Sequence, residues 1–329
     1  MLRLPQFRYF GPRELSDAAQ LLHEHGAQAM VVAGGTDLFP NMKRRQQEPA
    51  MVIGLRGIAE LGGIEPVDGG LRIGALATLQ QLSTDTLVRQ RAPALATAAH
   101  LVSTPPLRRM GTLGGNLCLD TRCTYYDQNY HWRKSIDFCM KKDGAICWVA
   151  PNSPRCWAVS SSDTAPVAVA LRASLRLVSA SGERHVLASD FFSDDGIQYL
   201  TRRPDEILAD VFVPAHDGWR MTYLKLRRRG SFDFPILGVA AGVKLTDGMV
   251  EDARLVLGAV GSSPLDQSAL AQPLIGARPS HEAIEAVAAT AYKGARPLDN
   301  TDLNYAWRKR MARVYVTRAL GEVCGVDVE

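Results

Sequence analysis

The sequence predicts an α+β protein of two domains, a larger one over residues 1–217 and a smaller one over residues 218–329. Its 329 residues exceed the usual size of a single hydrophobic core. Short apolar strands that end in glycine alternate with helical stretches through the first part. Three strand patterns followed by two helical stretches fill the second part, and a Pro/Gly exit near residue 217 separates the two.

The first domain begins with a helix, a strand and a glycine turn. Residues 13–26 carry apolar positions at helical spacing and stop at Gly26, and AQAMVVAGG then indicates a short buried strand. Further strand patterns are MVIGL, GLRIGALAT and PDEILADVFVP, and the segment 160–187 indicates a helix followed by a hairpin. Helical patterns cover LQQLSTDTLVRQ and PALATAAHLV.

The second domain has the order strand, strand, strand, helix, helix. The strand patterns are MTYLKLRRR, ILGVAAGVKLTDG and MVEDARLVLGAV, and the helical stretches lie around 280–293 and 302–321. This order is typical of a compact α+β unit.

Charge and hydropathy exclude several classes of protein. The net charge of +4 comes from interspersed basic and acidic residues, which argues against a dedicated nucleic-acid surface. The N-terminus lacks a continuous apolar stretch of signal-peptide length, and no apolar run approaches the ~20 residues that span a bilayer. We therefore expect a cytoplasmic protein, in which clustered cysteines hold metal or do redox chemistry rather than form disulfides.

Four cysteines form the most distinctive pattern of the chain. Cys123, Cys139, Cys147 and Cys156 are spaced C-x15-C-x7-C-x8-C in an aperiodic stretch that also holds three of the five tryptophans. Loops of this length let four thiolates converge on an iron–sulfur cluster, whereas zinc sites usually contain a tight C-x2–4-C pair. A structural zinc site and cysteines that bind nothing remain open as alternatives.

The other residues of the stretch bear on the same hypothesis. Residues 119–158 contain six basic residues and four aspartates. This surplus of positive charge would offset the negative charge of a thiolate-bound cluster. Cys118, flanked by two leucines, is predicted to lie in a buried strand with a structural role, and Cys324 is predicted to lie in the core. His131 is an alternative ligand if one of the four cysteines is not.

Two glycine turns are candidates for holding a phosphate. VVAGGTDL runs from a buried strand into Gly34 and Gly35, and Thr36 and Asp37 can cap a following helix. MGTLGGN offers a second such turn about 75 residues later. Neither is a GxGxxG fingerprint, and a Gly-Gly pair after a strand is more often only a tight turn.

Five motifs together carry a family resemblance. VVAGGTDL, GTLGGN, SDTAP, PDEIL and YLKLRRRGSFDFP resemble the FAD-binding medium subunits of the xanthine oxidase and carbon monoxide dehydrogenase family of molybdenum hydroxylases. The resemblance implies an FAD domain of the vanillyl-alcohol-oxidase (PCMH) type in two subdomains, about 1–56 and 57–217. It also implies a C-terminal domain like that of the carbon monoxide dehydrogenase flavoprotein.

The same resemblance implies a set of cofactor contacts. Asp163 matches the family aspartate of the SDTAP motif, and Lys225 matches a lysine placed near the flavin. Taken without the family, Asp163 is a helix N-cap and Lys225 a surface charge at the end of a strand. The positions implied to bind FAD are Met30, Val31, Val32, Ala33, Gly34, Gly35, Thr36, Asp37, Val102, Gly111, Thr112, Leu113, Gly114, Gly115, Asn116, Asp163, Leu208 and Lys225.

The chain departs from the family pattern in one place. Typical members run from GGN to the SD motif through roughly ten residues, whereas here the cysteine-bearing stretch of about 119–158 is inserted. We call this stretch the insertion. It is similar to the insertion of 4-hydroxybenzoyl-CoA reductase β subunits, which carries a 4Fe-4S cluster, and this similarity implies that Cys123, Cys139, Cys147 and Cys156 are its ligands.

The implied activity is that of an electron relay with no catalytic residue on this chain. A large subunit would carry the molybdenum cofactor and a small subunit two 2Fe-2S clusters, in a dimer of heterotrimers. Electrons from ferredoxin would reach the flavin by way of the 4Fe-4S cluster, for reductive dehydroxylation of 4-hydroxybenzoyl-CoA to benzoyl-CoA in anaerobic aromatic catabolism. The alternatives are an FAD subunit of an oxidising molybdenum hydroxylase with a structural zinc loop, and a scaffold that has lost its cofactor.

Overall fold

The computed structural model describes residues 2–328. A parallel three-stranded sheet opens the chain, with order β1-β3-β2. Helix α1 packs on this sheet through Leu15, Ala18, Ala19 and Leu22, whose helical spacing puts them on one buried face. The elements are β1 (Arg8–Phe10), α1 (Leu15–His25), β2 (Ala29–Val32), α2 (Leu38–Lys43) and β3 (Met51–Gly54).

A second sheet of the first domain is antiparallel throughout and has the order β4-β5-β8-β6-β7. Two hairpins form its edges, and the long strand β8 lies in the middle, which places its residues in the core. The strands are β4 (Ile64–Val67), β5 (Gly70–Gly74), β6 (Ser174–Ser179), β7 (Gly182–Leu187) and β8 (Ile207–Pro214).

Short helices connect and cover this sheet. The helical pattern 79–90 forms two helices instead of one, because the side chain of Asp85 accepts a hydrogen bond from the backbone N–H of Val88 and starts a new helix. The helices are α3 (Leu79–Thr84), α4 (Thr86–Arg91), α5 (Pro93–Leu101), α6 (Pro105–Arg108), α7 (Leu113–Leu117), α8 (Tyr130–Ser135), α9 (Thr164–Ala170) and α10 (Ala188–Phe191).

The last third of the chain forms an antiparallel sheet of order β12-β11-β10-β9 with two helices packed on one face. Residues alternate along β10, so that Val239 and Ala241 belong to the core under the helices while Ala240 packs into the core of the first domain. The elements are β9 (Trp219–Leu226), β10 (Leu237–Thr246), β11 (Met249–Gly258), β12 (Leu265–Asp266), α11 (His281–Ala291) and α12 (Tyr305–Cys324).

The mixed helix-and-sheet class is as predicted, and strand and helix patterns of the last third appear in the predicted order. Short 3-10 helices occur at Gly26–Gln28, Ala59–Leu61, Ser268–Leu274 and Tyr292–Gly294. Among residues 2–328, the helices are all too short or too polar to cross a bilayer.

Candidate functional site

The first glycine turn lies between β2 and α2. Gly35 has a φ of +71°, a backbone conformation that glycine adopts without strain, and a Cβ there would lie 2.5 Å from the Phe39 ring. The turn therefore needs glycine for both its conformation and its packing. Asp37 stands at the N-terminus of α2 but makes no capping hydrogen bond, contrary to the prediction, because its carboxylate pairs with Arg122 instead.

The two glycine turns meet in space although about 75 residues separate them in the sequence. A Cβ on Gly34 would lie 1.8 Å from the carbonyl oxygen of Met110 and 3.1 Å from the backbone nitrogen of Gly111. A Cβ on Gly111 would in turn lie 3.6 Å from Thr36 Oγ1. The backbones of both turns thus form one continuous wall, which fits the close approach of an extended dinucleotide.

The second turn is the first turn of helix α7. Thr112 Oγ1 accepts a hydrogen bond from the backbone N–H of Gly115 at 3.1 Å and caps the helix. A Cβ on Gly114 would lie 2.7 Å from Ala75 Cβ, so the helix packs directly on the chain after β5. The strand predicted around Cys118 is wrong: Leu117 ends α7, and Cys118 follows it, half-buried.

Asn116 joins the second turn to the SDTAP motif. Its Oδ1 accepts hydrogen bonds from Ser162 Oγ at 2.9 Å, from Thr164 Oγ1 at 2.7 Å and from the Thr164 backbone N–H at 3.2 Å. All three side chains are buried. This network explains why the GGN and SDT residues occur together, since each positions the other.

Asp163 and Lys225 form a buried ion pair, with Lys225 Nζ 2.8 Å from Asp163 Oδ2. Tyr223 donates a hydrogen bond to Asp163 Oδ1 at 2.8 Å, and Lys225 also donates to the carbonyl of Leu101 at 3.0 Å. Burial raises the pKa of Asp163 and lowers the pKa of Lys225, and the attraction between the two charges opposes both shifts. Asp163 occupies the N-cap position of α9, but its side chain makes no capping hydrogen bond. The interpretation of Lys225 as a surface charge is wrong, because its side chain is buried.

Other predicted FAD positions lie on β2, directly after α5 and on β8. Met30 and Val31 are half-buried on β2, beside the first turn. Val102 follows α5, and its carbonyl accepts a hydrogen bond from Arg108 Nη1 at 3.0 Å. Leu208 is buried in the middle of the five-stranded sheet, where it pairs with Leu177 of β6.

The four cysteines of the insertion converge. Cys123, Cys139, Cys147 and Cys156 are each at least 93% buried and line one small cavity, with Tyr126 and Lys141 in its wall. Burial raises the pKa of Cys123 to about 12 and that of Cys156 to about 11. A buried thiolate therefore needs a positive partner, which is the chemistry a metal or cluster supplies.

The four cysteines lie close together but do not form a site for a single metal ion as they stand. Among residues 2–328 there is no group of three or more His, Cys, Asp or Glu side chains that could hold a metal ion as they stand. A tetrahedral zinc would require the sulfurs to close on it at about 2.3 Å each. As they stand, the four cysteines share a cavity but are not yet arranged around a single ion, and His131 is exposed at the surface of the insertion, outside that cavity.

One positive charge of the insertion, that of Lys141, is buried beside the cysteines. Lys141, 6% exposed, donates to Asp120 Oδ1 at 2.8 Å, to Thr121 Oγ1 at 2.8 Å and to the Gly196 carbonyl at 2.6 Å. Its Nζ also lies 4.9 Å from the centre of the Tyr126 ring. One of the six basic residues of the insertion thus lies in the wall of the cysteine cavity, and Asp120 neutralises part of its charge.

Arg133 and Gln46, which lie outside the motifs, tie the insertion to the first domain. Arg133 is 1% exposed and donates to the carbonyls of Arg44 and Arg45, at 3.3 and 2.9 Å, directly after α2. Gln46 Nε2 donates to the Tyr126 carbonyl at 2.5 Å. These are contacts from long polar side chains to backbone, and the sequence gives no signal for them.

Asn300 ties the insertion to the second domain. Its Nδ2 donates to the Trp157 carbonyl at 2.5 Å, and its own carbonyl accepts from the backbone N–H of Thr124 at 2.8 Å. One buried residue thus contacts the chain close to both ends of the insertion. Arg308 of α12 supports this loop by donating to the carbonyls of Leu298 and Ala259.

Comparison with known proteins agrees with this geometry. A family model described as "FAD binding domain in molybdopterin dehydrogenase" matches residues 5–216, and one described as "CO dehydrogenase flavoprotein C-terminal domain" matches residues 221–323. The chain is 27% identical over 319 residues to the carbon monoxide dehydrogenase medium chain of Hydrogenophaga pseudoflava, covering 96% of both chains. It is 28% identical over 287 residues to the nicotinate dehydrogenase FAD-subunit of Eubacterium barkeri, covering 86% of this chain and 84% of that one.

A solved structure gives the same result. The chain matches a chain of carbon monoxide dehydrogenase from Hydrogenophaga pseudoflava with a TM-score of 0.81 and 27% identity, covering 98% of this chain and 99% of that one. The fold and the paired turns thus define a flavin-binding oxidoreductase subunit. The chain belongs to the FAD-binding subunits of the molybdenum hydroxylase family.

Proposed function

We propose that this chain works in the cytoplasm as the electron-transfer subunit of a molybdenum hydroxylase assembly, carrying FAD between a partner's redox centres and an external electron donor or acceptor. The contact of the Gly34 and Met110 backbones carries the proposal, because it builds one wall from both glycine turns. We further propose the division into domains 1–217 and 218–329, with subdomains of about 1–56 and 57–217.

Bound FAD supplies a carrier that exchanges electrons singly or in pairs. The chain's own residues would hold its diphosphate against the two turns, where glycines let the backbone approach closely. Asn116 would keep the second turn fixed to Ser162 and Thr164. The turns therefore bind and orient, and no residue of this chain is assigned to substrate chemistry.

Lys225 is proposed to favour reduced, anionic flavin by Coulomb attraction. Its pairing with Asp163 at 2.8 Å offsets part of that positive charge, so the net field at the flavin is that of the pair. A Lys225→Ala variant tests the idea by flavin redox titration, and it should bind FAD with a lowered midpoint potential. FAD binding with an unchanged potential would contradict it.

The names of the relatives favour an oxidising assembly as the first candidate. They are medium chains or FAD subunits of carbon monoxide, nicotinate, glyceraldehyde and xanthine dehydrogenases. By analogy we propose partners of two kinds, a large subunit with the molybdenum cofactor and a small subunit with two 2Fe-2S clusters, in a dimer of heterotrimers. In this candidate the insertion is a loop closed by zinc.

The second candidate is the reductive direction, with a 4Fe-4S cluster on Cys123, Cys139, Cys147 and Cys156. It is supported by four buried cysteines around one cavity that do not form a single-ion group. A cluster of the cubane type takes four thiolate ligands, the number of cysteines that line this cavity. This chain would then relay electrons from ferredoxin toward a partner that dehydroxylates 4-hydroxybenzoyl-CoA.

Metal and flavin analysis of anaerobically purified protein decides between the candidates. The second predicts four irons and four labile sulfides per chain, lost in Cys147→Ser with FAD retained. The first predicts one zinc and no sulfide. Cys118→Ser is the matched control, since Cys118 lies outside the cavity, and it should change neither count. A colourless protein without flavin would contradict both.

A further inference from the structure

Arg122 stands at the neck of the insertion, immediately before Cys123. Its backbone N–H donates to the Val159 carbonyl at 2.8 Å, and the Val159 N–H donates back to the Arg122 carbonyl at 2.7 Å. This reciprocal pair closes the loop that holds the four cysteines. Any movement of Arg122 therefore moves the base of the cysteine cavity.

The Arg122 side chain reaches in the opposite direction, to the first glycine turn. Its guanidinium is ion-paired with Asp37, and its Nη1 lies 3.3 Å from Asp127 Oδ1 and 3.4 Å from Asn41 Oδ1. Asp37 directly follows Gly34, Gly35 and Thr36, and Asn41 lies on α2. The planar fork thus connects the residue beside the turn with the insertion.

A third contact comes from the second domain. The Phe234 ring lies against the guanidinium of Arg122, with its centre 4.7 Å from Cζ. Arg122 itself is 8% exposed, and its Nε is buried without a hydrogen-bond partner. A buried guanidinium with contacts on three sides has little room to move. A shift of one contacting residue therefore displaces the guanidinium or the other residues that contact it.

We infer that Arg122 is a positioning residue that couples FAD binding at the first glycine turn to the conformation of the cysteine cavity. The inference rests on the proposed FAD site and goes beyond it, because it makes the two sites thermodynamically linked. When the turn is fixed by a ligand, Asp37 holds Arg122, and Arg122 holds the neck closed. Linkage is reciprocal, so occupation of the cavity tightens FAD binding by the same factor.

Thiol modification with and without FAD tests the coupling on the full-length chain, freed of metal by a chelator. The rates of alkylation of Cys123 and Cys156 are followed by mass spectrometry, and FAD affinity is followed by flavin fluorescence. FAD should slow alkylation roughly fivefold to tenfold in the unsubstituted chain. In Arg122→Gln the slowing should fall below about twofold, with FAD still bound.

Arg155→Gln is the matched control, because Arg155 lies in the insertion but pairs with the exposed Asp194, and it should keep the full effect. If Arg122→Gln does not fold, Arg122→Lys decides by the same criterion, since one ammonium cannot reproduce the fork. Equal protection by FAD in Arg122→Gln and the unsubstituted chain would overturn the coupling alone. Absence of FAD binding to the unsubstituted chain would overturn both the coupling and the proposed function.

Discussion

Lys225 Nζ lies 2.8 Å from Asp163 Oδ2, and the two side chains are 1% and 3% exposed. The pair joins β9 of the second domain to the start of α9 in the first. Tyr223 adds a hydrogen bond to the same carboxylate. A charge pair at this depth is costly to break, because each partner alone would be left in a low-dielectric interior.

Replacement of Asp163 by asparagine should lower the free energy of unfolding by about 3–5 kcal/mol, since the Lys225 ammonium would remain buried without a counter-charge. Chemical denaturation of the single variant measures the loss. The double variant Asp163→Asn, Lys225→Met removes both charges and should recover a large part of the stability. A single variant as stable as the unsubstituted chain would show that the pair carries no net interaction.

Gly34→Ala should weaken FAD binding by roughly tenfold or more and destabilise the chain by about 3 kcal/mol, because the added methyl would lie 1.8 Å from the Met110 carbonyl oxygen. Flavin titration and thermal unfolding measure the two effects. Gly230→Ala is the control, since a Cβ there meets nothing within 4 Å. Normal FAD affinity in Gly34→Ala would mean that the two turns do not act as one wall.

Asn300→Ala should loosen the insertion without unfolding the domains. The Trp157 carbonyl would lose its donor at 2.5 Å, a change worth about 1–3 kcal/mol for a buried group. Hydrogen exchange within residues 119–158 should rise, and proteolysis there should become faster. Asn152→Ala, at an exposed position of the same insertion, should leave both rates unchanged.

Stability should fall as the pH decreases through the titration of His216. Burial and then the neighbouring Arg254 lower its pKa in the folded chain, where its Nδ1 bonds the Pro214 carbonyl at 2.6 Å and Arg254 bonds its Nε2 at 3.0 Å. The unfolded chain protonates at about pH 6.5, so it binds more protons than the folded chain just below that pH. The contribution is complete above about pH 6.5 and is lost as the pH falls toward the folded pKa.

Unfolding midpoints measured across this range check the His216 prediction. His216→Gln keeps an acceptor for Arg254 without titrating, and it should flatten the pH dependence. His131→Gln, at an exposed position, should retain the slope of the unsubstituted chain. A His216→Gln variant with an undiminished slope would assign the effect to other groups.

Local sequence patterns predicted individual helices and strands better than the contacts between them. The spacing of Leu15, Ala18, Ala19 and Leu22 placed α1 and its buried face, because periodicity reflects burial directly. The strand predicted at Cys118 failed because Thr112 caps a helix through a glycine pair that has the appearance of a turn.

Contacts between residues that are far apart in the sequence could not be derived from local patterns. The meeting of Gly34 with Met110 depends on how the parallel and antiparallel sheets pack, which no local spacing encodes. The contacts of Arg122 could not be derived from local spacing either, since in the sequence it is only a basic residue next to a cysteine. Its role as an anchor follows only from its distance to Asp37 and to Phe234.

The reciprocal hydrogen bonds between Arg122 and Val159 mean that the two ends of the insertion lie side by side. Two residues facing each other in such a pair lie about 5.5 Å apart, a gap that a short turn can close. A short turn between Arg122 and Val159 could therefore replace the cysteine loop without shifting the two residues that flank it.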